Sequence, residues 1–369
     1  MRFRALPALA AVALLAACGG SAAPAASSSP AAAASQSAAP KPASASAKPS
    51  STTAGASPSA AAKGGAREKL SIGYTSFTLD QLAPMVAKER GFFDQNGLEA
   101  EVISIGAGSR PEAALMANQI QMYEGGPDAM AAAVAGADLE FVGALDKDFL
   151  FWLYSVPSVK AAADLKGKSI AVTSLTSSTY TAARIGVKSL GLDVDKDVNY
   201  LPVNNPPAIF SAMQNGAAQA GSIGSTNIVQ ARKAGYNMLV SIADMHVPYP
   251  AGWWTVSKKW AVNHDDTMQR MLKALVQATA YILREPDGTK KILSQYAKNE
   301  DKEFLDGVYD IVSPHIQKTP YAEVQGVKLV LDDLSATVPA ARNADPNTFV
   351  DNHWVKALED SGFIAGLYK

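Results

Sequence analysis

KSIAVTSLTSSTYTAARIGVKSL, Lys168 to Leu190, contains one complete strand–turn–helix unit. Ser169 to Thr173 is a short, partly β-branched run that reads as a strand. Ala182, Ile185, Val187 and Leu190 then recur at helical spacing, and Gly191 supplies the stop. Between them stand five hydroxyl residues, Ser174, Thr176, Ser177, Ser178 and Thr179, around Leu175. A helix start prefers one Ser or Thr as its cap. The additional hydroxyls, beside unpaired N–H groups and the positive end of the helix dipole, make this turn a receptacle for a small anion or polar head group.

The same alternation extends in both directions. Leu70 to Tyr74 predicts a strand, followed by a helix from about Leu79 to Arg90 that Gly91 ends. Leu98 to Ile105 and Gln121 to Glu124 read as strands, separated by a turn at Gly106 to Ser109 and a helix from Pro111 to Asn118. Pro127 suits the first position of a helix running through Ala137, and Leu139 to Leu145 and Phe149 to Val156 are expected to close this half. Beyond the central stretch come a strand at Val198 to Val203, a helix from Pro206 to Gln214 and a strand at Gln219 to Ile223. A helix reaching Ala234 and a strand at Asn237 to Ala243 follow. Trp253 to Ser257 resumes a strand after the turn-rich Asp244 to Gly252. From His264 the chain is helical, with Met268, Met271, Leu272, Leu275, Val276, Thr279 and Ile282 forming one core-facing stripe. The expectation is an α/β protein with two mostly parallel sheets flanked by helices, binding its ligand beyond the carboxyl ends of the strands.

The N-terminus sets the compartment. Arg2 and Arg4 precede an apolar run from Ala5 to Ala17, too short to span a bilayer but right for a secretory signal. Its end, Leu15-Ala16-Ala17-Cys18-Gly19, resembles the bacterial lipobox, so residues 1–18 are expected to be a signal peptide and Cys18 a lipidation site. With Cys18 the sole cysteine, no intrachain disulfide can form. Residues 19–67 are Ala, Ser, Pro, Thr and Gly with few large apolar side chains, a composition that predicts a disordered tether. The charge is balanced at 33 basic against 34 acidic residues without a long basic run, which argues against a nucleic-acid partner.

Five polar turns each follow a strand and precede a helix: Thr75-Ser76, Gly108-Ser109, Gly126-Pro127-Asp128, Ser174 to Thr179, and Ser225-Thr226. Their recurrence across two units suggests the facing walls of a cleft. No catalytic signature accompanies them. His246, His264, His315 and His353 are scattered without metal-ligand spacing, and Gly106 to Pro111 has Pro in place of the last glycine of a dinucleotide loop. No metal, cofactor or catalytic residue is expected.

The run AKERGFFDQNGLEAE at Ala87 to Glu101, DLKGKSIAV at Asp164 to Val172 and PYPAGWWTVSKKW at Pro248 to Trp260 together resemble type II solute-binding proteins of bacterial ABC importers. The resemblance is to the nitrate, sulfonate, taurine and hydroxymethylpyrimidine-binding group, and it covers nearly all of the chain beyond the tether. It implies a two-lobed periplasmic-binding-protein type II fold with a two-segment hinge, near Ser155 to Ala163 and Asp244 to Gly252. Lobe I would be residues 68–158 and 250–369, and lobe II residues 159–249. The implied ligand site comprises Thr75, Ser76, Gly108, Ser109 and Asp128 from lobe I. Lobe II would add Ser174, Thr176, Ser177, Ser178, Thr179, Ser225 and Thr226, with Tyr249, Trp253 or Trp254 as an aromatic side. Trp253 and Trp254 are adjacent in a strand, so they point to opposite faces. Asp128 has an ordinary alternative role at a helix start, and Glu124 is a comparable candidate.

The implied protein is a monomeric exported lipoprotein, anchored to the outer face of the cytoplasmic membrane or in the periplasm, that delivers a small organic anion or a heterocycle to an ABC permease. Two alternatives remain. One is a sensor subunit for a membrane receptor; the other is an enzyme on the same fold related to pyrimidine-precursor synthases. The absence of cysteine past Cys18 counts against the enzyme.

Overall fold

The computed structural model describes residues 67–369 apart from residues 76, 107–109, 250–251 and 336–337. The signal peptide, Cys18, nearly all of the expected tether, and the expected site residues Ser76, Gly108 and Ser109 lie outside the described residues.

Two five-stranded sheets organise the chain. The first contains β1 (Glu68–Tyr74), β2 (Leu98–Ser104), β3 (Met122–Gly125) and β4 (Leu139–Ala144). The second contains β5 (Phe151–Ser155), β6 (Lys168–Val172), β7 (Val198–Pro202), β8 (Ala220–Gly224) and β9 (Asn237–Ser241). A late strand, β10 (Trp253–Ser257), returns to the first sheet, giving the orders β2-β1-β3-β10-β4 and β7-β6-β8-β5-β9. β1 runs parallel to β2 and β3, and β6 runs parallel to β7 and β8. β10 is antiparallel to both its neighbours, as is β5. Each antiparallel strand is therefore the one that the chain forms on arriving from the other sheet.

This corrects one expectation. Phe149 to Val156 does not close the first half: Phe151 to Ser155 pairs with Gly224 to Ala220 in the second sheet. The first crossing thus lies between β4 and β5, ahead of the Ser155 to Ala163 segment expected to hinge, and the second lies between β9 and β10. Strand composition cannot assign a short apolar run to one of two sheets, because both offer it a similarly apolar berth.

The central strands are buried without alternation. Every residue of β3, β4 and β10 is buried. Trp253 and Trp254, both 0% exposed, enter separate apolar clusters on opposite faces of β10, as their adjacency in a strand demands. Gly143 on neighbouring β4 makes room for this: a Cβ there would sit 2.5 Å from the Trp254 ring. The apolar stripe from Met268 to Ile282 lies on the Asp265–Arg284 helix, and its members are buried as expected.

Candidate functional site

A cleft enclosing about 850 Å³ of space, part of it open to solvent, lies between the two walls of strand ends. From the first lobe come Thr75 after β1, Asp80 and Gln81 of the following short helix, Glu112, and Tyr123, Gly125 and Asp128 around the end of β3. The second lobe contributes Phe151, Thr173, Ser177 to Thr179, Ile209, Ser222 to Gly224, Thr226 and Asn227. The helices Pro127–Val134, Ser178–Ser189 and Ser225–Lys233 begin at this cleft, the first and last almost directly after a strand end and the second after the turn from Thr173 to Ser177.

Six of the expected site residues line it: Thr75, Asp128, Ser177, Ser178, Thr179 and Thr226. Much of the hydroxyl chemistry, however, serves the loop itself. Ser177 is the helix cap, accepting from Tyr180 N at 3.4 Å while donating to Ser174 O at 2.8 Å. Thr179 Oγ1 accepts from Thr173 N at 2.8 Å. Thr75 Oγ1 donates to Glu124 O at 3.1 Å, and Thr226 Oγ1 to Asn227 Oδ1 at 3.2 Å. Ser174, Thr176 and Ser225 do not line the cleft; Thr176 stands at the rim, where its hydroxyl donates to Asp128 of the opposite lobe. The reason for the surplus hydroxyls is therefore largely local: a tight turn between strand and helix leaves backbone groups that side chains must satisfy.

The expected aromatic side is elsewhere. Tyr249, Trp253 and Trp254 are fully buried and absent from the lining. Tyr249 meets Phe149 at a ring separation of 4.0 Å and Trp253 at 5.8 Å, so these rings tie the first crossing to the second. Trp254 Nε1 donates to Glu124 Oε1 at 2.9 Å, which holds Glu124 behind the cleft wall. The aromatic faces of the cleft are instead Phe151 and Tyr123. Their position at the ends of β5 and β3 was the available signal, obscured for Phe151 because its strand was expected in the other sheet.

The charge of the cleft is one-sided. Asp80, Glu112 and Asp128 line it, and no Lys, Arg or His joins them among the described residues; Arg110 is exposed. Burial raises the Asp80 carboxyl to about 6. Burial also raises Glu112, with a lesser contribution from Asp128. Behind them, Glu124 is pushed well up by burial and by neighbouring Asp80 and Asp146. Tyr123 OH donates to Glu112 Oε1 at 2.8 Å, while Glu112 Oε2 is buried without a hydrogen-bond partner among the described residues. Across the cleft, Ser222 Oγ is likewise buried and has no partner among the described residues. Leaving such an atom unsatisfied costs about 1–3 kcal/mol, a cost that a guest between the two walls would relieve.

The scattered histidines behave differently from their spacing. The fold brings His246 and His315 together beside Asp148, with ring centroids 6.3 Å apart, and none of the three lines the cleft.

Two α/β lobes joined by two crossings, with a cleft at facing strand ends, define a type II periplasmic-binding-protein fold. The chain belongs to the NMT1/THI5-like family, which matches residues 80–289. It is 24% identical over 291 residues to an aliphatic sulfonates-binding protein of Bacillus subtilis (strain 168), covering 76% of this chain and 86% of that protein. The periplasmic aliphatic sulphonate binding protein SsuA of Escherichia coli is structurally similar, with a TM-score of 0.64 at 19% identity over 77% of this chain and 92% of that one. The periplasmic nitrate-binding protein NrtA of Synechocystis PCC 6803 gives a TM-score of 0.68 at 15% identity over 82% and 91% of the two chains. At these identities the structural likeness carries the fold, and the guest must be argued from the cleft itself.

Proposed function

We propose that this chain is an extracytoplasmic solute-binding component of an ABC importer, and that its guest is a small heterocycle bearing N–H donors, neutral or cationic. The carrying observation is the lining by Asp80, Glu112 and Asp128 without a basic side chain among the described residues. An anion would face those carboxylates with only uncharged donors to offset them, namely hydroxyls, backbone N–H groups and the amides of Gln81 and Asn227, and Ser177 and Thr179 already serve the loop. Amino groups on a flat ring instead meet carboxylate acceptors directly, in hydrogen bonds strengthened by charge. Phe151 and Tyr123 are the aromatic side chains of the lining against which a flat ring would pack. The membership of the NMT1/THI5-like family and the fold shared with sulfonate- and nitrate-binding proteins support the transport role. Export and a lipid anchor at Cys18 rest on the N-terminal sequence, and release of a chemically unchanged guest rests on the lack of a catalytic signature.

Calorimetry with an aminopyrimidine, an alkanesulfonate and nitrate tests the choice of guest. The expected result is binding of the aminopyrimidine, weakened at least tenfold by Glu112→Gln. Tight binding of the sulfonate with none of the heterocycle would overturn the reading. The anchor has a separate test: Cys18→Ser is expected to move the protein from the membrane fraction to the soluble one, and unchanged association would refute lipidation.

A further inference from the structure

Asp148, in the first crossing, is 5% exposed and belongs to neither wall of the cleft. His315 Nδ1 lies 2.7 Å from its Oδ2, and His246 Nδ1, from the second crossing, lies 3.4 Å from the same oxygen. Ligating atoms of the three residues all fall within 4.8 Å of one another. We propose that Asp148, His246 and His315 form a binding site for a divalent ion of the zinc class, fastening both inter-lobe crossings to the C-terminal helical region of the first lobe.

The donor set fits. Two imidazoles and a carboxylate make a three-ligand zinc site that leaves a fourth position for water. A tetrahedral ion with bonds of about 2.0–2.1 Å holds its ligand atoms about 3.3 Å apart. The His246 edge already has that length, whereas the His315 edge has hydrogen-bond length and must open by about 0.6 Å. The backbone around the cluster is tied in place from both sides. Lys147 N donates to His315 O at 3.2 Å, and Phe149 N donates to Val247 O at 3.1 Å. The residues flanking Asp148 are thus bonded to His315 itself and to the neighbour of His246. A bridge between Asp146 and Ile316 reinforces the first of these ties. Crossings of this kind absorb the rotation when lobes close, so an ion held here would bias the hinge rather than touch the guest.

The test uses tag-free full-length protein carrying Cys18→Ser, so that no thiol competes, stripped with chelator and titrated with zinc against a chromogenic chelator. One zinc per chain is expected. His246→Asn is the decisive variant: its side chain is 72% exposed, and its left-handed backbone (φ 49°) suits Asn. It is expected to weaken zinc binding at least tenfold, as is Asp148→Asn, while His264→Asn is expected to bind as the parent does. Thermal denaturation without metal checks that His246→Asn is folded, and added zinc is expected to raise the melting temperature of the parent and of His264→Asn but not that of His246→Asn. Absence of stoichiometric zinc in the parent, or equal affinity in folded His246→Asn, overturns the proposal.

Discussion

Asp80 lines the cleft and carries a cost to stability. The residue is 5% exposed, and burial lifts its carboxyl from 3.8 to about 6. Between those values the folded state holds a proton that the unfolded chain has released. The contribution of Asp80 is therefore fully present below about pH 4 and is lost as the pH rises through about 6. The two-unit difference corresponds to about 3 kcal/mol at neutral pH. Asp80→Asn is expected to stabilise the protein by up to that amount at pH 7.5 and by little at pH 4, read from urea denaturation at both. An equal effect at both values would show that Asp80 ionises without hindrance. A guest that donates to the ionised carboxylate would recover part of this cost, which connects the strain to the cleft. The side chain's polarity is visible in the sequence. Its burial follows from the short helix Leu79–Gln81, in which all three residues are buried.

Among the elements, the Ser178–Ser189 helix shows most clearly what local sequence can and cannot say. Its stop at Gly191 and its apolar face follow from residue spacing, because helix geometry is local, whereas its start lies at Ser178, inside the stretch that reads as turn. The roles of its hydroxyls do not. Ser177 caps the helix and Thr179 holds Thr173, so both belong to the turn as well as to the cleft. Ser177→Ala is expected to cost about 1 kcal/mol of stability, measurable as a lowered denaturation midpoint in ligand-free protein. A variant that loses affinity without any loss of stability would instead make Ser177 chiefly a ligand group. β5 gives the complementary lesson. FWLYS reads as a strand, yet its sheet is set by which edge the incoming chain meets, and that edge is built by β8, some 65 residues later.

For the whole molecule, pairs across the lobes hold the cleft as it stands. Asp333, on the Val324–Leu334 helix, accepts from Arg184 Nε at 3.1 Å and from Thr181 Oγ1 at 3.2 Å on the Ser178–Ser189 helix. At another contact, Lys233 Nζ lies 2.9 Å from Asp301 and 3.1 Å from Glu303. The second set is exposed and screened by solvent, whereas the Asp333 pair is mostly shielded and matters more. Asp333→Ala is expected to shift the ligand-free protein toward an open arrangement, seen as a larger radius of gyration by solution scattering. Guest affinity should fall by the factor that closure then costs. An unchanged radius would mean that this pair does not govern closure.

The order of strands and helices, the tandem α/β character and the apolar stripe of the Asp265–Arg284 helix were determined by the sequence alone. All of them depend on periodicities within a few neighbouring residues. Only the tertiary structure decided that Tyr249, Trp253 and Trp254 fill the interior, that Phe151 and Tyr123 face the cleft, and that its charge comes from Asp80, Glu112 and Asp128. It likewise brought His246 and His315 to Asp148 across 98 and 167 residues. Burial and long-range juxtaposition depend on which surfaces meet, and in a chain that crosses twice between sheets no local pattern encodes that.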